Sequence, residues 1–259
     1  VIGNKCAFSL LELSIVLVII GLIAGGIVSG ANMIRAAEVR AVITETQRYM
    51  TSVNTFRDKY LGVPGDLKNA EAFWGSMTNC GAASPSGTGT QTCNGDGDGI
   101  VEPAAAALQT GENFGIWQHL SNAGLIEGVY SGIAGTLNTN HALLGENQPE
   151  SKLSGAGWAL SYWDNSAGTS GITYSFNYGN QLGFAAVNSS TGAPNQPVLT
   201  PPEAWSIDKK VDDGRPAYGK VIARNYIPCT TSTTYNDFDK EYELDSDDKA
   251  CTLIVRNMF

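Results

Sequence analysis

KCAFSLLELSIVLVIIGLIAGG, residues 5–26, decides how this chain is read. From Phe8 to Val28 the residues are almost wholly apolar, yet Glu12 sits among them. The run is long enough to cross a bilayer, which takes ~20 apolar residues. Three readings compete. A secretory signal peptide has a shorter apolar core and a small-residue cleavage site, a place Ala24-Gly25-Gly26 would fill. A simple anchor has no use for Glu12, because a carboxylate in hydrocarbon is costly unless it is paired or near the interface. The third reading gives Glu12 a task. Residues 31–60 continue without proline or glycine. Val42, Thr46, Tyr49, Val53, Phe56 and Tyr60 recur at helical spacing and predict one apolar face, with Arg35, Glu38, Arg40, Glu45, Arg48 and Arg57 on the others. One helix is therefore expected from about Phe8 to Tyr60, roughly 80 Å long at 1.5 Å per residue. Its first half is apolar all round and its second half amphipathic.

Ala7-Phe8-Ser9-Leu10-Leu11-Glu12, followed by the apolar run, resembles the prepilin cleavage and methylation signature of type IV pilins and of the pseudopilins of type II secretion systems. The likeness spans residues 5–30 and extends more loosely to 60. It implies that a prepilin peptidase cuts between Ala7 and Phe8 and methylates the new amino group. It also implies that Glu12, then the fifth mature residue, recruits the incoming subunit by pairing with a neighbour's N-terminal amine. Physics agrees, since a carboxylate and an ammonium in lipid each cost much alone and less together. The chain departs from the pattern at two places. Ala7 stands where glycine is usual, and Ser29 stands where many pilins carry a helix-breaking proline. Gly21, Gly25, Gly26 and Gly30 serve either to loosen the helix during assembly or to let helices pack closely in the membrane. Because the sequence opens on Val1, the leader is expected to begin upstream.

The chain has 259 residues and a net charge of −9, with 42% hydrophobic and 16% charged residues, which suits a folded protein. No Lys/Arg run exceeds Lys209-Lys210, and the acidic balance argues against nucleic acid. Cys6 stands apart from Cys80, Cys93, Cys229 and Cys251. Those four allow three pairings. Cys80–Cys93 and Cys229–Cys251 are expected, each closing a short local loop, which places the body in an oxidising compartment.

Leu61-Gly62-Val63-Pro64-Gly65-Asp66 ends the helix, and Asp66 is expected to cap a short helix through Trp74. Residues 76–99 are rich in Gly, Ser, Thr and Asn and read as a loop. At its end, CNGDGDGIVE (residues 93–102) places oxygen-bearing side chains at Asn94, Asp96, Asp98 and Glu102, with the Ile100 carbonyl between and Val101 turned inward. Calcium takes six to eight oxygens at flexible angles, and such a loop supplies them. The pattern resembles the first nine positions of an EF-hand-like loop, but its twelfth position is Ala105, so a further ligand such as Glu112 is needed. The competing reading is a metal-free Asp/Gly surface turn.

A second helix is expected over 113–125, carrying His119 as an ordinary helix residue. Strands are expected at 158–163, 172–178, 182–187, 217–223 and 252–255. Their aromatics serve a packed core or, if exposed, sugar binding. Residues 194–202 read as a linker. The stretch 204–216 reads as a short helix turning at Asp213-Gly214; its Asp-Lys-Lys-x-Asp-Asp-Gly run is similar to one in some pseudopilin-like proteins. The acidic segment 237–248 is a loop and a second candidate calcium site. No nucleophile motif or His/Glu zinc spacing appears, so a hydrolase, the third-ranked function, is not favoured and no catalysis is expected.

The fold class expected is thus α+β and pilin-like, with a long N-terminal helix on a small antiparallel β-sheet with loop insertions. Its parts are a cleaved leader end (1–7), a membrane or filament-core helix (8–30), an amphipathic continuation (31–60) and a globular body (61–259). The resemblance implies residence in the bacterial inner membrane, then in a periplasmic or cell-surface filament, either homo-oligomeric or mixed. The implied partners are prepilin peptidase, membrane lipid and the inner-membrane assembly machinery. The alternative is a membrane-anchored, calcium-braced binding protein or adhesin.

Overall fold

The computed structural model describes residues 9–82, 84–103, 109–168, 170, 173–224, 228–232, 234 and 237–259. Helix α1 spans Leu10–Tyr60, 51 residues without interruption, or about 77 Å. It includes a stretch long and apolar enough to cross a membrane, none of which is buried. It ends where Leu61 turns left-handed (φ 55°) and donates its N–H to the Arg57 carbonyl at 2.9 Å. The body then adds α2 (Ala70–Trp74), α3 (Glu112–Asn122) and α4 (Pro201–Val211). Five antiparallel strands complete it: β1 (Gly157–Asp164), β2 (Asn177–Val187), β3 (Pro194–Gln196), β4 (Val221–Ala223) and β5 (Leu253–Val255). They are ordered β1-β2-β5-β4, with β3 added at the end of β2. The molecule is α+β, a long helix packed on a small antiparallel sheet, as expected.

The second half of α1 supplies one side of the core. Val42, Tyr49, Val53 and Phe56 meet Ile116, Trp117 and Leu120 of α3 and Trp158, Leu160, Leu182 and Phe184 of the sheet. Tyr49 lies edge-on to Trp117 and Trp158, with ring centroids at 5.1 and 5.6 Å. Where α1 leaves the body, Arg35 holds Glu203 of α4 through two contacts of 2.6 and 2.8 Å. Glu203 also completes a capping box with Thr200, which fixes the start of α4. Both expected disulfides are present, with Cα separations of 5.6 Å for Cys80–Cys93 and 5.0 Å for Cys229–Cys251.

Several expectations are corrected. Glu45 is not on an outer face. It is buried, and its carboxylate accepts hydrogen bonds from Ser151 Oγ, the Lys152 N–H and Trp158 Nε1 at 2.6, 3.0 and 2.8 Å. The strand expected at 172–178 and the one at 182–187 are replaced by the single strand β2. Residues 173–176 lie outside the ladder, where Tyr174 and Phe176 pack beside Tyr178 and Phe238. Ile172 lies outside the described residues. The supposed linker at 194–202 contains β3 and the start of α4, because Pro201 and Pro202 occupy the first turn, where a missing N–H costs nothing. The last strand, β5, lies between β2 and β4. Asp66 does not cap α2, whose N-cap position is Asn69 with no side-chain hydrogen bond.

Candidate functional site

Two features carry chemistry that the core does not use. The first is the outer half of α1. Every residue from Leu10 to Ser29 is exposed, and Met33 and Ile34 extend the apolar surface four residues past the boundary expected at 30. Burial starts in earnest at Val39. Ala7 and Phe8 lie outside the described residues. Glu12 also has a local role that sequence reasoning missed. Its carboxylate accepts the Ser9 N–H at 2.9 Å, while Ser9 Oγ accepts the Glu12 N–H at 3.2 Å. Ser-x-x-Glu is a capping box, and it satisfies two of the donors that a helix start leaves without partners.

The second feature is the acidic loop. Carboxylate oxygens of Asp66, Asp96 and Asp98 lie within 4.8 Å of one another, so this cluster could hold a metal ion. The loop curls because its own side chains accept its backbone donors. Asp96 Oδ1 takes the Asp98 N–H at 3.1 Å, and Asp98 Oδ1 takes the Ile100 N–H at 2.8 Å. Asp66, buried beneath, accepts the N–H groups of Gly97 and Gly99. Gly97 and Gly99 turn at φ 71° and 91°, which favours glycine. Glu112, at the start of α3, accepts from the Asp96 and Glu102 N–H groups at 3.1 and 3.2 Å.

Of the ligands expected from the sequence, Asp96 and Asp98 are brought together. Ile100 reaches the cluster through its N–H, and Val101 is fully buried, as expected. Asn94 turns away, its Oδ1 accepting the Glu71 N–H at 2.9 Å, and Glu102 stands outside the three-carboxylate group. Ala105 lies outside the described residues. Asp66 is the residue that sequence reasoning missed, because it arrives from a separate turn about thirty positions earlier.

Electrostatics strain this corner. Burial raises the Asp66 carboxyl and pushes Glu112 up to about 7, with neighbouring carboxylates adding to both shifts. Close by, His119 is fully buried; burial depresses it to about 4, so it stays neutral. Its Nδ1 accepts the Gly65 N–H at 2.9 Å, and Nε2 faces Thr92 Oγ1 at 2.9 Å, pinning two loops to α3. That is the ordinary structural role expected for it.

A second carboxylate group, Asp208, Asp212 and Asp213, occupies the Asp-Lys-Lys-x-Asp-Asp-Gly run. Each of the three has backbone work. Asp208, fully buried, accepts from Gly214, Asp212 from Lys220 and Val221, and Asp213 from Arg215, so these carboxylates brace the turn that follows α4. The acidic segment 237–248 forms no such group among the described residues. No family model, curated protein or solved structure matches the chain.

Proposed function

We propose that the chain is a structural subunit of a type IV pilus-like or type II secretion filament, a pilin or pseudopilin whose mechanism is assembly rather than catalysis. One observation carries this reading. The inner half of α1 is locked into the body, while its outer half presents apolar side chains on every side and is buried by nothing among the described residues. An apolar surface of that kind requires lipid or other copies of the same helix around it. A bundle of such helices at the centre of a filament, with the α+β bodies outside, provides the second environment. The membrane provides the first, before assembly. Cutting before Phe8 would supply the amine that Glu12 pairs with on a neighbouring subunit. Shearing intact cells tests the reading. The chain should be recovered in the sheared filament fraction, or in a filament drawn from the periplasm. Recovery only as dispersed membrane protein, under conditions where a filament forms, would contradict it.

Calcium is the proposed occupant of the acidic loop. Asp66, Asp96 and Asp98 would ligate it, with the Ile100 carbonyl as a further ligand; Asn94 and Glu102 would have to leave their present positions to join. The donor set is all oxygen, which suits a hard cation, and a bound cation would favour the charged carboxylates that burial, and to a lesser degree their mutual repulsion, disfavours at Asp66 and Glu112. A ligand that binds only the folded state stabilises by about 2.7 kcal/mol at one hundred times its dissociation constant. Millimolar calcium at neutral pH should therefore raise the unfolding temperature of the full chain in detergent by several degrees. Asp66→Asn with Asp96→Asn should abolish the rise. No calorimetric heat and no thermal shift would sink the assignment.

A further inference from the structure

The two ends of the body carry unlike patches that the core leaves unused. At the far end of α1, Leu61 is 91% exposed. Phe73 of α2 is exposed beside it, edge-on to Tyr60 with ring centroids at 5.2 Å. Leu61 closes the helix in the left-handed region, at φ 55°, where glycine is the usual residue. The glycine stands one position later, at Gly62. A leucine there strains the backbone and gains almost no burial, so the monomer has little use for its side chain. Arg57 and Lys59 lie in the same last turn, with Asp58 the acid between them, and Lys68 lines a hollow shared with Tyr60 and Leu61. None of the three cations makes an ion pair among the described residues. Asp66 lines the same hollow but is engaged with the N–H groups of Gly97 and Gly99.

The other end of the body, where Arg35 leaves it, is acidic. Arg35 donates to the Val198 carbonyl, and Val198 donates to the Cys251 carbonyl. The loop 243–248 is fastened at this level, because Ala250 donates to Leu199 and Glu243 to Cys229, the disulfide partner of Cys251. Glu243, Asp245, Asp247 and Asp248 surround Leu244, which is about half exposed. These four carboxylates make no ion pair among the described residues. Each patch is thus an apolar knob among unpaired charges, and the signs are opposite. Arg35 and Tyr60 set them roughly 37 Å apart along α1. A contact between unlike patches on two copies is heterologous, so it continues as an open chain instead of closing a pair. We infer that the patch around Leu61 and Phe73 of one copy docks on loop 243–248 of a second copy. Leu244 packs against Leu61 and Phe73, and Lys59 and Lys68 face the carboxylates. The inference rests on the filament reading for its second copy and names the contact that links one body to the next.

Leu61→Gly moves stability and assembly in opposite directions. Glycine suits the left-handed cap, so the unfolding temperature should hold or rise. Filament recovered by shearing should fall by about tenfold or more, the scale of one leucine side chain lost from a buried contact. Lys59→Glu with Lys68→Glu should also lower recovery. Adding Asp245→Lys and Asp247→Lys to that chain should restore it, which a merely structural role would not do. Position is read by co-expressing Phe73→Cys in one full chain and Leu244→Cys in another, then treating the cells with a short bismaleimide. A crosslinked pair is expected only when both variants are present. Filaments that lack this crosslink, or that form undiminished from Leu61→Gly, overturn the inference and leave the filament reading standing. The crosslink in membranes that form no filament upholds the contact and contradicts the filament reading alone. Absence of both filament and crosslink overturns both.

Discussion

Glu45→Ala is expected to destabilise the fold by about 3–5 kcal/mol, a large effect for a single change. The carboxylate lies between α1 and the start of the sheet and takes hydrogen bonds from Ser151 Oγ, the Lys152 N–H and Trp158 Nε1. Alanine would leave the Ser151 hydroxyl and the Trp158 indole N–H buried without this acceptor, while the half-buried Lys152 N–H loses it too. An abandoned donor costs roughly 1–3 kcal/mol, which outweighs the modest net value of the bonds themselves. Glu45→Gln should fall between, because it keeps one acceptor oxygen but turns an amide NH2 toward a donor. Thermal unfolding followed by near-ultraviolet dichroism of the buried tryptophans measures this. With about 2–4 °C per kcal/mol for a body of this size, the midpoint should fall by roughly 10 °C. A change of under about 0.5 kcal/mol, as for an ordinary surface site, would show that Glu45 does not tie the helix to the sheet.

Glu12→Gln is expected to stop filament formation while leaving the monomer folded and membrane-inserted. Two roles meet at this residue, and the substitution separates them. Glutamine can also close a capping box with Ser9, so the helix start survives. What it lacks is the negative charge that would pair with a neighbour's terminal amine inside an apolar bundle. If pairing relieves several kcal/mol of burial cost, its loss should lower assembly by well over tenfold. Glu12→Ala should be no better, since it loses both roles. Normal filaments from Glu12→Gln would reduce Glu12 to a helix cap.

Much of this architecture was legible because its signals are local. The helical face running from Val42 to Phe56 is a repeat within one segment, and α1 forms along the whole of it. The disulfides pair cysteines 13 and 22 positions apart, where loop closure favours neighbours. Glu12 was legible only in part: the capping box with Ser9, a local Ser-x-x-Glu signal, went unread. Glu45 was misread because an acid on a helix defaults to the solvent side. Its acceptors' partners, Ser151 and Trp158, lie over a hundred residues away. Asp66 likewise joins Asp96 and Asp98 only through folding.

The central claim is that the exposed apolar half of α1 belongs to a processed filament subunit. The mass of the native protein's N-terminus tests it most directly, in cells that contain a prepilin peptidase. The account predicts a chain beginning at Phe8 and carrying one added methyl group on its amine. A chain that retains Ala7 and the residues before it, or one cut near Ala24-Gly25-Gly26 as a secretory signal would be, would contradict it.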